Sequence, residues 1–415
     1  MFRRMNTVKA AALGALAFAG VARAAEPQYL QEQEKGRRPL MAAVDRTGGA
    51  SMMDEWGLDI SGHVEAGYTF NFNESNGDTI TGRAFDVQHD ELLLNQAAVV
   101  VQRTLSPTDD AVVGYKDRFN VGFKVDFMYG YDARFIHSNG LFDHYNDDES
   151  RNEEWDLTQA YVEFGIPVGN GLLVTAGKFV TPLGYETINP TTNPLYSHSY
   201  LFAFAIPFTH TGINVKYNFS ENWSAMVGVN RGWEQSLEDN NDDAVSFLGS
   251  VGYTWHPSDT GKPVNFILSA TSGPEQPDMQ GNFRTVVDLI ASTQLADQLT
   301  VALNADYGIE DDADPAGNQG QWYGVAAYAR YEISDMFAIN VRGEWFNDKD
   351  GARGLGTNVY EATLGLNIKP FPGNEFGSGL VIRPEIRYDY AQEATFDAGT
   401  DHSQFTAGAD VIFAF

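Results

Sequence analysis

From Leu58 onward the chain alternates. Leu58, Ile60, Val64, Ala66, Tyr68, Phe70 and Phe72 share one parity, while Asp59, Ser61, His63, Glu65, Thr69 and Asn71 share the other. A period of two puts one set on each face of a strand. The pattern recurs. Phe119, Val121, Phe123, Val125, Phe127, Tyr129 and Tyr131 oppose Asn120, Lys124 and Asp126, and Tyr360, Ala362, Leu364, Leu366 and Ile368 oppose Glu361, Thr363, Asn367 and Lys369. The last such run ends on the final residue, Phe415. Counted along the chain, it predicts about sixteen strands. They fall near 58–72, 90–104, 119–131, 155–166, 171–180, 210–219, 222–232, 245–256, 263–272, 283–295, 298–309, 321–333, 336–347, 357–368, 379–391 and 403–415. Parity is ambiguous in the second, fifth and tenth.

The connections alternate too. Tight ones at 167–171, 220–222, 296–298 and 334–336 alternate with long polar ones at 73–89, 132–154, 181–209, 233–244, 273–282, 310–320, 348–356 and 392–402. Short turns on one rim and long loops on the other, with strands of about ten residues, are the signature of a transmembrane β-barrel. Two supposed short turns, 105–118 and 369–378, break the rule. Aromatics gather at strand ends: Tyr68, Phe70, Tyr129, Trp345, Tyr388 and Tyr390 toward the long loops, and Trp223, Tyr253, Trp255, Tyr331, Phe413 and Phe415 toward the short turns. Two interfacial girdles are expected from them. A soluble β-sandwich or β-solenoid also alternates. Neither needs an apolar face on nearly every strand, two girdles and one-sided long loops together. The expected fold is therefore an all-β, antiparallel, up-and-down transmembrane barrel over 58–415.

Composition narrows the function. The chain has 415 residues, no cysteine, and a formal net charge of −29. Disulfides, thiolate metal sites and cysteine nucleophiles are excluded, and an acidic chain is ill-suited to nucleic acid. No cofactor motif is present. Residues 1–24 place Arg3, Arg4 and Lys9 before an apolar run, Ala10 to Val21, and then Ala22 and Ala24 around Arg23. That is an export signal with its cleavage site. Residues 25–57 are mixed and polar and read as a periplasmic segment or linker, with a short helix near Pro39–Asp45. A plug is the weaker alternative. A barrel of about sixteen strands keeps an aqueous lumen, so passage of small hydrophilic solutes is the expected activity.

The other parity supplies lumen residues. It carries Asp59, Glu65, Lys124, Asp126, Glu163, Lys178, Lys216, Glu361, Asp389 and Asp410, and around strands 12, 13 and 15 also Arg330, Arg342, Glu344, Arg383, Glu385 and Arg387. In water such charges cost little. The arginines form a basic ladder that either sets a field across the pore or pairs with Glu344, Glu385 and Asp389 to stiffen the wall. Acidic runs at 147–156, 237–243 and 310–315 predict an outer mouth that favours cations at low salt. They could also bridge through divalent ions to lipopolysaccharide, but they lack the spacing of a calcium loop. The long connection 181–209 is apolar, aromatic and proline-rich, with Glu186 its sole charge. It is expected to fold against the inner wall and narrow the pore, an outer lid or subunit contact being the alternative. Ser197, His198, Ser199 and His210 offer the parts of a hydrolase, a weak signal without geometry. A structural or adhesive barrel with a blocked lumen is the other rival.

Several stretches resemble the putative β-barrel porin-2 (OmpL-like) family. They are GLDISGHVEAGYTFNFN at 57–73, AYVEF at 160–164 running to AGKFVTPLGYE at 176–186, NPLYSHSYLFAFAIPFTHTG at 193–212, and GVNRGW at 228–233 followed by DNN at 239–241. The resemblance implies an outer-membrane porin of Gram-negative bacteria and supplies no substrate. General porins constrict through the loop after strand five, the place 181–209 occupies here. The strand ending in Phe415 is similar to the signal read by the outer-membrane barrel-assembly machinery. Porins often form homotrimers, though no stretch identifies an interface.

Overall fold

A computed structural model describes residues 39–73, 79–108, 112–142, 153–238, 244–258, 261–314 and 316–415. The export signal at 1–24 and the polar stretch up to residue 38 lie outside the described residues, as do 147–152, 239–243 and 315 of the acidic runs.

Sixteen antiparallel strands close into one barrel, each paired with its chain neighbours and the first with the last. The first eight are β1 (Asp59–Asn71), β2 (Leu92–Arg103), β3 (Asn120–Gly130), β4 (Glu154–Ile166), β5 (Leu172–Val180), β6 (Thr209–Asn218), β7 (Trp223–Asn230) and β8 (Ser246–Trp255). The rest are β9 (Val264–Pro274), β10 (Phe283–Ala296), β11 (Leu299–Glu310), β12 (Gly320–Ser334), β13 (Phe337–Asn347), β14 (Asn358–Ile368), β15 (Leu380–Ala391) and β16 (Ser403–Ala414). Each lies within two residues of the bounds the alternation predicts. The seam is closed by Phe415, which donates its N–H to Gly62 O at 2.8 Å and accepts from Gly62 N at 2.9 Å. Closure leaves no free strand edge, as a sheet in lipid requires.

The alternation sorts side chains as expected. On β13, Asn340, Arg342 and Glu344 are buried while Val341 between them is 46% exposed. Val227 at 65%, Leu268 at 50% and Leu364 at 48% belong to the same outward belt. So continuous an exposed apolar surface is a liability in water and matches a lipid surround. Two aromatic rings border it. Toward the long loops Tyr323 meets Trp345 at 5.6 Å and Tyr360 meets Tyr390 at 6.2 Å. Toward the short turns Trp223 meets Tyr253 at 4.4 Å and Phe413 meets Phe415 at 6.2 Å. Among the described residues no helix is long and apolar enough to cross a membrane.

The three ambiguous strands have physical causes. In β2 the pairing with β1 slips between Glu65 and Ala66, and Asn95 and Gln96 are consecutively buried. A bulge of this kind reverses parity. In β5, Gly177 at φ 135° interrupts the pleat, and Lys178 and Phe179 after it are both buried. A Cβ there would sit 2.2 Å from Ala160 O. In β10, Val286 and Ile290 are buried apolar residues on the inward parity, facing a packed segment rather than water.

Two short helices precede the barrel, α1 (Pro39–Arg46) and α2 (Ala50–Trp56), where a single one is expected near Pro39–Asp45. They pack against the two overlong turns. Arg103 donates to Trp56 O at 2.7 Å and Val112 O at 3.0 Å, tying α2 to the 104–119 turn. Arg46 bonds Glu375 at 2.6 Å and lies 4.3 Å over the Phe376 ring, tying α1 to the 369–379 turn.

Candidate functional site

Backbone without regular structure carries N–H and C=O groups that must find partners when buried. The segment 181–208, here called L3, contains only a three-residue 3-10 turn (Pro190–Thr192) and one π turn (Leu201–Ala205). It lies inside the barrel, and the wall supplies its partners. Glu385 accepts from Tyr196 N at 2.9 Å and Ser197 N at 3.1 Å. Glu344 accepts from Tyr200 N and Leu201 N, both at 2.7 Å. Guanidiniums serve the carbonyls: Arg342 donates to Ser197 O at 2.7 Å, Arg387 to His198 O at 2.6 Å, and Arg383 to Pro190 O at 3.0 Å and Asn193 O at 2.7 Å. Trp322 Nε1 reaches Ala205 O at 3.1 Å, and Arg353 Nε reaches Phe204 O at 2.6 Å.

Buried charge persists only when paired, and Arg342, Arg383 and Arg387 each are. Arg342 meets Glu186 and Glu361 at 2.8 Å each, Arg383 meets Asp410 at 2.5 Å and Glu65 at 3.2 Å, and Arg387 meets Asp389 at 2.8 Å. Arg342 and Arg387 are 0% and 1% exposed. The ladder expected to face water is therefore covered by L3. Its side chains neutralise the wall and hold loop backbone. Between the polar anchors the contact is apolar. Leu183, Tyr185, Leu201 and Ile206 pack with Leu248, Ile267, Val286, Ile290, Tyr328 and Phe346 of the wall. Gly365 leaves the socket for Leu195, whose Cδ2 would be 2.4 Å from a Cβ there.

L3 thus covers the inner wall from β8 round to β16. On the opposite side, between L3 and β1–β5, a cavity of about 390 Å³ remains. Of the candidate residues, Lys124, Asp126 and Glu186 line it. Arg330 and Arg383 line a smaller cleft of about 30 Å³ beside Pro190 and Asn193. Glu163 is buried and accepts from Leu105 N at 3.4 Å, Lys178 is buried against Asp156 at 3.3 Å, and Lys216 is half-buried. Sequence reasoning missed Gln96, which donates to Ile188 O at 2.9 Å, and Asn304, which accepts from Tyr185 N at 2.9 Å. Both are inward-parity amides beside the loop, and nothing in their spacing distinguishes them from other wall residues.

The hydrolase residues are engaged separately. Ser197 Oγ accepts from Arg342 at 3.2 Å, Ser199 Oγ from Phe202 N at 3.1 Å, His198 bonds Asn193 at 2.9 Å, and His210 bonds Thr181 at 3.1 Å. Among the described residues no hydrogen bond joins one of these serines to one of these histidines. Nor does any His, Asp and Glu cluster suited to a metal ion occur among them.

Burial shifts the loop groups. It depresses His198 to about 4. It disfavours charge on Glu186 as well, but Arg342, His198 and the Ser199 N–H outweigh it and hold that carboxyl below its ordinary range. In the outer loops burial raises Asp86 to about 6, and Asp132 and Glu234 to about 7. A carboxyl with a raised folded pKa holds a proton that the unfolded chain has released, so its contribution falls as pH rises from the ordinary value through the raised one. His198 acts oppositely, losing stability as pH falls from 6.5 toward 4. Because the carboxyls so raised outnumber the imidazoles lowered, the refolded barrel should melt higher at pH 5 than at pH 7.5 in detergent. A lower midpoint at pH 5 would show that these loop carboxyls are not buried.

Known proteins place this geometry. No curated protein matches the chain. The fold resembles OprB of Pseudomonas putida in its high-pH structure, with TM-score 0.56 and 13% identity over 89% of this chain and 97% of that one. It also resembles the anion-selective porin from Comamonas acidovorans, with TM-score 0.56 and 10% identity over 86% and 99%. The outer-membrane channel DcaP of Acinetobacter baumannii follows at TM-score 0.53 and 10% identity, over 86% and 97%. The sequence profile described as putative beta-barrel porin-2, OmpL-like, matches residues 57–415, so the chain belongs to that family and is an outer-membrane β-barrel.

Proposed function

We propose that the protein is a passive channel for small hydrophilic solutes and ions, narrowed by L3. The observation that carries this reading is the cavity of about 390 Å³ left between L3 and the β1–β5 wall inside a closed sixteen-strand barrel. Barrels of this strand number retain an aqueous lumen unless filled. L3 covers the β8–β16 side and touches β2 and β3 through Ile188, Phe202 and Phe208. A net charge of −29, with Asp278, Asp312 and Asp314 among the described outer-loop residues, supports a modest cation preference. The preference should weaken as salt screens the mouth. Assembly as a homotrimer accords with a solved neighbour, OmpT of Vibrio cholerae, described in a trimer form.

Planar bilayers test the reading. The refolded protein should give discrete KCl conductance steps, with a reversal potential on the cation side in dilute KCl that shrinks in concentrated KCl. An anion-side potential would overturn the cation preference alone. No current from folded protein would favour the blocked, structural barrel.

A further inference from the structure

The chemistry of the L3-side cavity goes beyond passage in general. We infer that it selects small uncharged polyhydroxylated solutes, of carbohydrate or sugar-alcohol type, an inference that rests on the channel reading above. The argument begins with charge. The chain has 56 acidic and 27 basic residues, yet its Asp, Glu, Lys and Arg lining the cavity are Lys124, Asp126 and Glu186. Glu186 is neutralised by Arg342 at 2.8 Å. Lys124 and Asp126 lie two residues apart on one face of β3, about 7 Å along the strand, so their opposite charges partly offset one another. A strongly acidic protein thus places few charges, of both signs, on this lining, so an organic ion that sheds water to fit gains little in return, whereas K⁺ and Cl⁻ pass hydrated.

Apart from the His63 imidazole, which bonds Gln96 at 3.0 Å, the remaining polar groups are hydroxyls and carboxamides on two facing surfaces. Gln102, Thr104 and Gln159 stand on the barrel side, and Asn189, Thr191 and Thr192 on L3. The L3 group is held in place, because Asn189 Oδ1 accepts from Thr191 N at 3.0 Å and from Thr191 Oγ1 at 2.8 Å. Ser61 also lines the cavity, and its buried hydroxyl has no hydrogen-bond partner among the described residues. Such groups both donate and accept, as a polyol's hydroxyls do. Phe202 and Phe208 add apolar surface for C–H faces. A volume of about 390 Å³ suits one small molecule.

Liposome swelling with the full refolded chain tests this, using glucose, glucosamine and gluconate as solutes that share a carbon skeleton and differ in charge. Glucose should enter roughly tenfold faster than either ion at equal osmolarity. In the double variant Gln102→Leu, Thr104→Val that ratio should fall toward about one. KCl conductance of each preparation separates the outcomes. Normal conductance with glucosamine or gluconate entering as fast as glucose overturns the solute class and leaves the channel standing. Normal conductance with an unchanged ratio in the double variant also overturns it. Absence of both conductance and swelling overturns the channel reading itself.

Discussion

Removing residues 187–205 from L3 should raise single-channel conductance roughly twofold or more. The expectation follows from where those residues lie. They carry every loop atom that Arg383, Arg387, Glu344 and Glu385 hold, together with Ile188 on the cavity side and the π turn on the other. The barrel does not depend on them for closure, since all sixteen strand pairings run between neighbours and across β1 and β16. The shortened protein should therefore still fold, as its heat-modifiable gel migration can confirm. An unchanged conductance in a folded deletion variant would mean that the narrowest point lies elsewhere.

Arg342→Ala should be the most destabilising single change in the lumen. The guanidinium meets Glu186 and Glu361 at 2.8 Å and donates to Ser197 O at 2.7 Å, and it is fully buried. Truncation leaves Glu186 without its ion pair and leaves Glu361 only the longer contact to Arg387 at 3.7 Å. Breaking a buried pair in this way costs about 3–5 kcal/mol. L3 should loosen before the barrel does, so the variant should melt lower and show noisier, larger current steps. Arg342→Lys should recover little, because an ammonium cannot reproduce the planar fork that serves two carboxylates and a carbonyl at once. Wild-type melting and current in Arg342→Ala would remove this arginine from the account of how L3 is held.

The strands were legible because lipid and lumen impose opposite demands on adjacent residues. Val341 beside Arg342 and Leu364 beside Thr363 announce that wall directly. The apolar character of 181–209 was also legible, since Leu183, Tyr185, Leu201 and Ile206 have no reason to sit in an outer loop. The role of the ladder was not. Arg383 and Glu385 bind main-chain atoms of Pro190, Asn193, Tyr196 and Ser197, and every residue has such atoms, so no side-chain pattern marks the partner. One signal was available in hindsight. Leu248, Ile267, Val286 and Ile290 are apolar on the parity that faces inward, which an open, water-filled wall would not require. The ambiguity in β2 and β5 came from Asn95 and Gly177, single residues that break the period without changing composition.

The asymmetry of the lumen, with a cavity beside β1–β5 and close packing beneath L3 from β8 to β16, is the claim on which the rest stands. The absence of cysteine from the chain makes it directly testable. Asp126→Cys places a thiol on the cavity, and Ala326→Cys places one at a position fully covered by L3 and its neighbours. A charged methanethiosulfonate reagent added during recording should reduce current through Asp126→Cys and leave Ala326→Cys unaffected. Block of Ala326→Cys with Asp126→Cys unresponsive would contradict the account.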